Sequence, residues 1–250
     1  MKKLIGLIII FLAQIAHADC ADFGLEIFPK SKTLSSNPYF IITGFDRGQN
    51  VVKDLNLKFK IYLTDGEDTI SIKILDTYRG RNLLQSVFKP SEKLKLKRFY
   101  RIVIEDVFLG SQPDVEGFGC KDFISHTFEI ISSLPKSAIT NKINIEGRSF
   151  VQYGCGPSSH VVFSVESDLF EYMVKTKLTN VENGSVQIFY LSPFENKLYV
   201  GNGMCSGEFG VIPNKEYLIE FELFDLDGNL FPTVPLKFVS DSLAQLPNHP

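Results

Sequence analysis

Tyr217-Leu218-Ile219-Glu220-Phe221-Glu222-Leu223 sets Tyr217, Ile219, Phe221 and Leu223 on one side of an extended chain and Leu218, Glu220 and Glu222 on the other. Successive side chains of a strand point to opposite faces, so this period of two predicts a half-buried β-strand. The alternation recurs upstream. Tyr100, Ile102 and Ile104 alternate with Arg101, Val103 and Glu105, and Leu55, Leu57, Phe59, Ile61 and Leu63 alternate with Asn56, Lys58, Lys60 and Tyr62. The run from Leu55 to Leu63 meets Asp65-Gly66-Glu67-Asp68 and resumes at Ile70, Ile72 and Ile74, which predicts a hairpin. Tyr172, Val174, Thr176 and Leu178, then Asn183-Gly184, then Val186, Ile188 and Tyr190 alternating with Gln187 and Phe189, predict another.

The chain uses one plan twice. Gly66 precedes Tyr100 by 34 positions and Gly184 precedes Tyr217 by 33, a spacing that two copies of one β unit account for. Val211-Ile212-Pro213-Asn214-Lys215-Glu216-Tyr217 resembles the tyrosine corner of immunoglobulin-like and fibronectin type III-like sandwiches, with an apolar residue six before the tyrosine and a proline four before it. The first copy has Leu94 at the apolar position and Leu96 where the proline would stand. Asp225-Leu226-Asp227-Gly228-Asn229 is similar to the polar turn that ends the same strand in exported modules of this kind. The resemblance implies an all-β chain of two immunoglobulin-like antiparallel β-sandwich domains in tandem, and it speaks to fold alone. Ser132-Ser133-Leu134-Pro135-Lys136-Ser137 interrupts the alternation between Ile131 and Ile143, so the expected domains are residues 19–135 and 136–250, the second with a short C-terminal tail.

Residues 1–18 read as a secretory signal peptide: Lys2 and Lys3, an apolar run from Leu4 to Ala13, and Ala16-His17-Ala18 before the cut. The apolar run falls short of the roughly 20 residues a membrane-spanning helix needs, and nothing from Asp19 to Pro250 approaches that length. The expectation is an exported mature chain without a transmembrane segment, periplasmic or secreted and surface-associated. Asp19 argues against lipid attachment at Cys20. Without Lys2 and Lys3, the 26 Lys plus Arg fall further behind the 29 Asp plus Glu, so nucleic acid is not an expected partner.

Cys20, Cys120, Cys155 and Cys205 all lie in the exported part, an even number in an oxidising compartment, and read as two disulfides. No pair has Cys-x-x-Cys spacing. Three connectivities are possible; Cys20 with Cys120 and Cys155 with Cys205 would keep each bridge inside one expected domain.

Catalytic and metal-binding chemistry finds little footing. His126 sits in the alternating strand Phe123 to Ile131 and His249 in the tail, and Ser158-Ser159-His160 would need a partner from elsewhere in the fold. Asp225, Asp227 and Asn229 form a fragment of a calcium loop without its closing acid, and a plain β-turn uses the same residues. Asn183-Gly184-Ser185 matches a glycosylation sequon and equally a hairpin turn. No cofactor, metal ligand or catalytic residue is expected.

Two features read as candidate binding surface. Lys93, Lys95, Lys97 and Arg98 form a basic stripe around Leu94 and Leu96, suited to an anionic surface or simply to solvent. The segment 108–119, with Phe108 and Phe118, reads as an end loop of the first sandwich. The function expected is an exported, non-enzymatic binding, adhesion or envelope structural module for a protein or glycan. A chaperone-like periplasmic assembly protein with two immunoglobulin-like domains and a hydrolase on a β-sandwich scaffold are the alternatives.

Overall fold

The computed structural model describes residues 24–107, 123–132, 141–153, 156–204 and 206–240. The expected signal peptide at residues 1–18, all four cysteines, the segment 108–119 with Phe108 and Phe118, His249 and most of the expected domain boundary lie outside the described residues. Among the described residues, no helix is long and apolar enough to cross a membrane.

Between Gly24 and Ile130 the chain forms a nine-stranded sheet. Its strands are β1 (Gly24–Phe28), β2 (Thr33–Leu34), β3 (Phe40–Phe45), β4 (Ile61–Thr64), β5 (Thr69–Gly80), β6 (Leu83–Pro90), β7 (Phe99–Ile104), β8 (Phe123–Ile124) and β9 (Phe128–Ile130), and one short helix, α1 (Gly48–Lys53), intervenes. The order is β1-β3-β6-β5-β4-β7-β9-β2, with β8 beside β7; only β2 and β9 pair in parallel. The sheet folds over along β5. Its start, Thr69 to Ser71, pairs with β4, whereas Ile72 to Gly80 pairs with β6 across a register shift between Ile74 and Asp76. The two layers then close on each other: Phe40 of β3 stacks on Phe88 of β6 at 5.4 Å and meets Phe128 of β9 at 5.5 Å.

Between Lys142 and Val239 two sheets face each other. One is β10 (Lys142–Tyr153), β11 (Gly156–Glu166) and β14 (Lys197–Asn202); the other is β12 (Met173–Asn180), β13 (Val186–Leu191), β15 (Glu216–Phe224), β16 (Leu230–Pro232) and β17 (Leu236–Val239). Phe163 of β11 bridges the layers, edge-on to Phe221 at 5.0 Å and to Phe238 at 6.0 Å. In each half the first, second and fifth main strands share one layer and the third, sixth and seventh the other, the order of an immunoglobulin-like sandwich.

Both tyrosine corners close. Tyr217 and Tyr100 are fully buried, and each hydroxyl accepts a backbone N–H from five residues upstream: Ile212 at 2.9 Å and Lys95 at 3.4 Å. Leu94 is buried beside the first corner without any proline.

One local reading is corrected. The expected strand from Leu55 to Leu63 begins only at Ile61. Before it, the Asp54 carbonyl accepts the N–H groups of Leu57, Lys58 and Phe59, and Asn56 takes a left-handed conformation (φ 58°) with its side chain donating to the Ile72 carbonyl. Asn and Asp favour such local bonds over a ladder, so the alternation is broken and Leu57 stands 81% exposed. In β13 the predicted alternation places Phe189 and Leu191 in the second core, while Tyr190 points out of that sandwich into the first core cluster.

Candidate functional site

The basic stripe lies on a loop rather than a strand, because Lys97 is left-handed (φ 59°) and donates its N–H to the Ile130 carbonyl. Lys95 ion-pairs with Asp68, and Arg98 reaches Glu67 at 2.9 Å and Asp65 at 3.6 Å. The acids of the β4–β5 hairpin therefore neutralise two of the four cations. Lys93 and Lys97 are exposed. Asp65 is held in this role by its own turn: its carboxylate accepts the N–H of Asp68 at 2.7 Å and of Glu67 at 3.0 Å, and these bonds, with Arg98, lower its pKa.

The structure does not bring the chemically reactive candidates together. His126 is 3.1 Å from the Ser31 carbonyl and edge-on to Phe128. His160 packs edge-on to Tyr199 on β14, and burial lowers its pKa, favouring neutral imidazole. Asp225 accepts the N–H groups of Asp227 and Asn229 through Oδ1 and the Asn229 amide through Oδ2, the bonding of a turn. Asn183 accepts the Ser185 N–H within its hairpin. Among the described residues no group of three or more His, Cys, Asp or Glu could hold a metal ion.

What the fold does assemble is a seam between its two halves. Gln85, 1% exposed on β6, accepts the N–H of Tyr190 at 2.9 Å and donates to the Tyr190 carbonyl at 3.1 Å and to Thr43 Oγ1 at 3.0 Å. The Tyr190 ring lies 5.6 Å from that of Tyr78 and 5.1 Å from that of Phe224. Tyr78 donates to Asp76 at 2.6 Å. Burial, and for Tyr78 the bond to Asp76, push both phenols up, Tyr190 to about 12, so both remain protonated near neutrality.

The turn that resembled a calcium loop closes a second part of the seam. Tyr39 donates its N–H to the Leu226 carbonyl at 3.2 Å, and its ring sits edge-on to Phe224. Further along, the backbones of Arg81 and Gly207 exchange hydrogen bonds at 2.7 and 3.0 Å as an isolated bridge. These contacts were not legible in the sequence, where Gln85 and Tyr39 stand far from Tyr190 and Leu226.

A cleft of about 80 Å³ opens at the seam, lined by Glu26, Lys30, Thr43, Glu171, Met173 and Ser192 among others. Small-molecule pockets run from about 300 Å³ upward, so it is too small for a ligand of that class. Its lining supplies one cation, Lys30, which pairs with Glu26 at 2.5 Å while its N–H donates to Glu171.

No protein-family model matches this chain. No curated protein matches it either. Solved structures similar to it include the FN1–FN3 domains of chicken CNTN1, at 10% identity and a TM-score of 0.29 over 88% of this chain and 65% of that one. Pullulanase type I from Bacillus subtilis str. 168 complexed with maltose matches at 7% identity and a TM-score of 0.23 over 80% of this chain and 24% of that one. Pullulanase from Anoxybacillus sp. LM18-11 matches at 9% identity and a TM-score of 0.25 over 91% and 29%. The chain thus spans under a third of the pullulanases and just under two thirds of the chicken fragment. At these TM-scores the similarities carry no argument about function.

Proposed function

We propose that this chain is an exported, non-enzymatic binding or envelope structural module whose two halves act as one body. The observation that supports this reading is the bonding of buried Gln85 to both backbone groups of Tyr190 across the seam. A buried amide satisfied in this way fixes one arrangement of its partners, because any other leaves polar groups unpaired at a cost of about 1 to 3 kcal/mol each. Two sandwiches locked together present their end loops at a fixed spacing, which suits recognition of an extended protein or glycan.

The test uses the mature chain immobilised against a glycan array and, separately, photo-crosslinked in the native envelope. A specific glycan or protein partner is expected in one of the two, at physiological ionic strength. Turnover of ester or glycoside substrates by purified protein, or absence of any specific partner in both assays, would overturn the proposal.

A further inference from the structure

The outer edge of β13 is a hazard that the fold covers. Val186-Gln187-Ile188-Phe189-Tyr190-Leu191 carries no charge, no proline and no glycine, and it is rich in β-branched and aromatic residues. Six-residue segments of this composition stack readily with copies of themselves. Within its sheet β13 is terminal, hydrogen-bonded on one side to β12. An edge strand with unpaired N–H and C=O groups is a template for another chain.

Gln85 closes that edge with the bonds a neighbouring strand would use. In an antiparallel ladder a residue facing a hydrogen-bonding partner both accepts and donates one backbone bond. The Gln85 amide does the same to Tyr190, accepting its N–H at 2.9 Å and donating to its carbonyl at 3.1 Å. Backbone groups two residues apart on a strand aim the same way, so those of Ile188 share the edge that Gln85 closes at Tyr190. Val186, at the far end of the strand, is 49% exposed.

We propose that Gln85 is a plug: its side chain occupies the β13 edge and keeps the same strand of a second copy of this chain from adding there. The composition of β13 argues for that occupant, since the segment best matched to an uncharged six-residue strand of this kind is itself. The inference concerns the seam alone and stands whether or not an external ligand exists.

The test compares the full mature chain with Gln85→Ala and with Gln85→Ala combined with Ile188→Lys, which sets a charge at a half-buried position on the edge strand, two residues from Tyr190. In Gln85→Ala, the Tyr190 amide is expected to exchange with solvent at least about tenfold faster, while amides of Ile219 and Phe221 in the second core keep their protection. Sedimentation velocity is expected to show oligomers that grow with concentration, and adding Ile188→Lys is expected to restore the parent's sedimentation. Unchanged exchange at Tyr190, parent-like sedimentation of Gln85→Ala, or oligomers indifferent to Ile188→Lys would each overturn the proposal. Should Gln85→Ala lose the core amides as well, Gln85→Met, which keeps the volume and loses the bonds, is judged by the same criteria.

Discussion

The ring of Tyr39 fills the space that a side chain at Gly228 would need: a Cβ built on Gly228 would lie 2.3 Å from Tyr39 Cδ2. Gly228 also has φ +81°, a left-handed conformation that only glycine adopts without strain. Gly228→Ala is therefore expected to destabilise the protein by about 2 to 4 kcal/mol, combining backbone strain with overpacking. Gly184 has φ +70° with nothing within 4 Å of its would-be Cβ, so Gly184→Ala is expected to cost only about 1 kcal/mol. Urea denaturation of the two variants measures the difference, and equal losses would mean that Tyr39 does not press on the turn.

The two tyrosine corners should not be equal. Tyr217→Phe removes a 2.9 Å bond from the Ile212 N–H and leaves that donor without its acceptor, an expected loss of about 1 to 2 kcal/mol. Tyr100→Phe removes a bond of 3.4 Å and is expected to cost less. Denaturant midpoints at constant slope decide the order, and a larger loss for Tyr100→Phe would contradict it.

Two half-buried titratable groups give the stability two opposing pH dependences. Burial lowers the His160 pKa below its ordinary 6.5, so the unfolded chain takes up the proton first, and this contribution is full above about 6.5 and lost as pH falls below it. His160→Phe is expected to flatten the thermal midpoint between about pH 5 and 6.5, because each fully coupled proton accounts for about 1.4 kcal/mol per pH unit. Burial raises the Glu208 pKa, so its contribution is full below 4.5 and lost as pH rises through the raised value; Glu208→Gln is expected to raise the midpoint at neutral pH. Thermal scans across pH that leave both slopes unchanged would refute these assignments.

Non-reducing peptide mapping is expected to join Cys155 to Cys205 and Cys20 to Cys120. The strands that lead to Cys155 and Cys205 are hydrogen-bonded neighbours, with Ser159 opposite Asn202. A native bridge of this kind in a small secreted domain contributes about 2 to 5 kcal/mol, so reduction should lower the melting temperature markedly. Peptides joining Cys20 or Cys120 to Cys155 or Cys205 would refute the pairing.

Strands whose core-facing residues are continuous were legible from alternation alone: Tyr217 to Leu223 and Tyr100 to Ile104 needed no other information. The stretch Leu55 to Leu63 carried the same pattern and misled, because hydrogen bonds to the Asp54 carbonyl and the left-handed Asn56 outbid the ladder. Val186 to Leu191 left a different question open. Both of its faces are apolar, one filling its own sandwich and one meeting the other half, so a period of two cannot say which is which. The basic stripe was visible as Lys93, Lys95, Lys97 and Arg98, but the acids that answer two of them come from a hairpin some thirty positions earlier. The seam was invisible for the same reason: Gln85 and Tyr190 are partners only in three dimensions.

Strand β5 runs unbroken from one layer of the first sandwich into the other. A residue added or removed within Asp76 to Gly80, beyond the register shift between Ile74 and Asp76, would displace the pairing with β6 relative to that with β4 and turn the side chains that follow to the opposite face. Tolerance to insertions should therefore switch off abruptly along this stretch of chain, permissive at the tip formed by Asp65 to Asp68 and forbidding a few positions later. A scan of single-residue insertions, read out by folded yield, would trace that border directly.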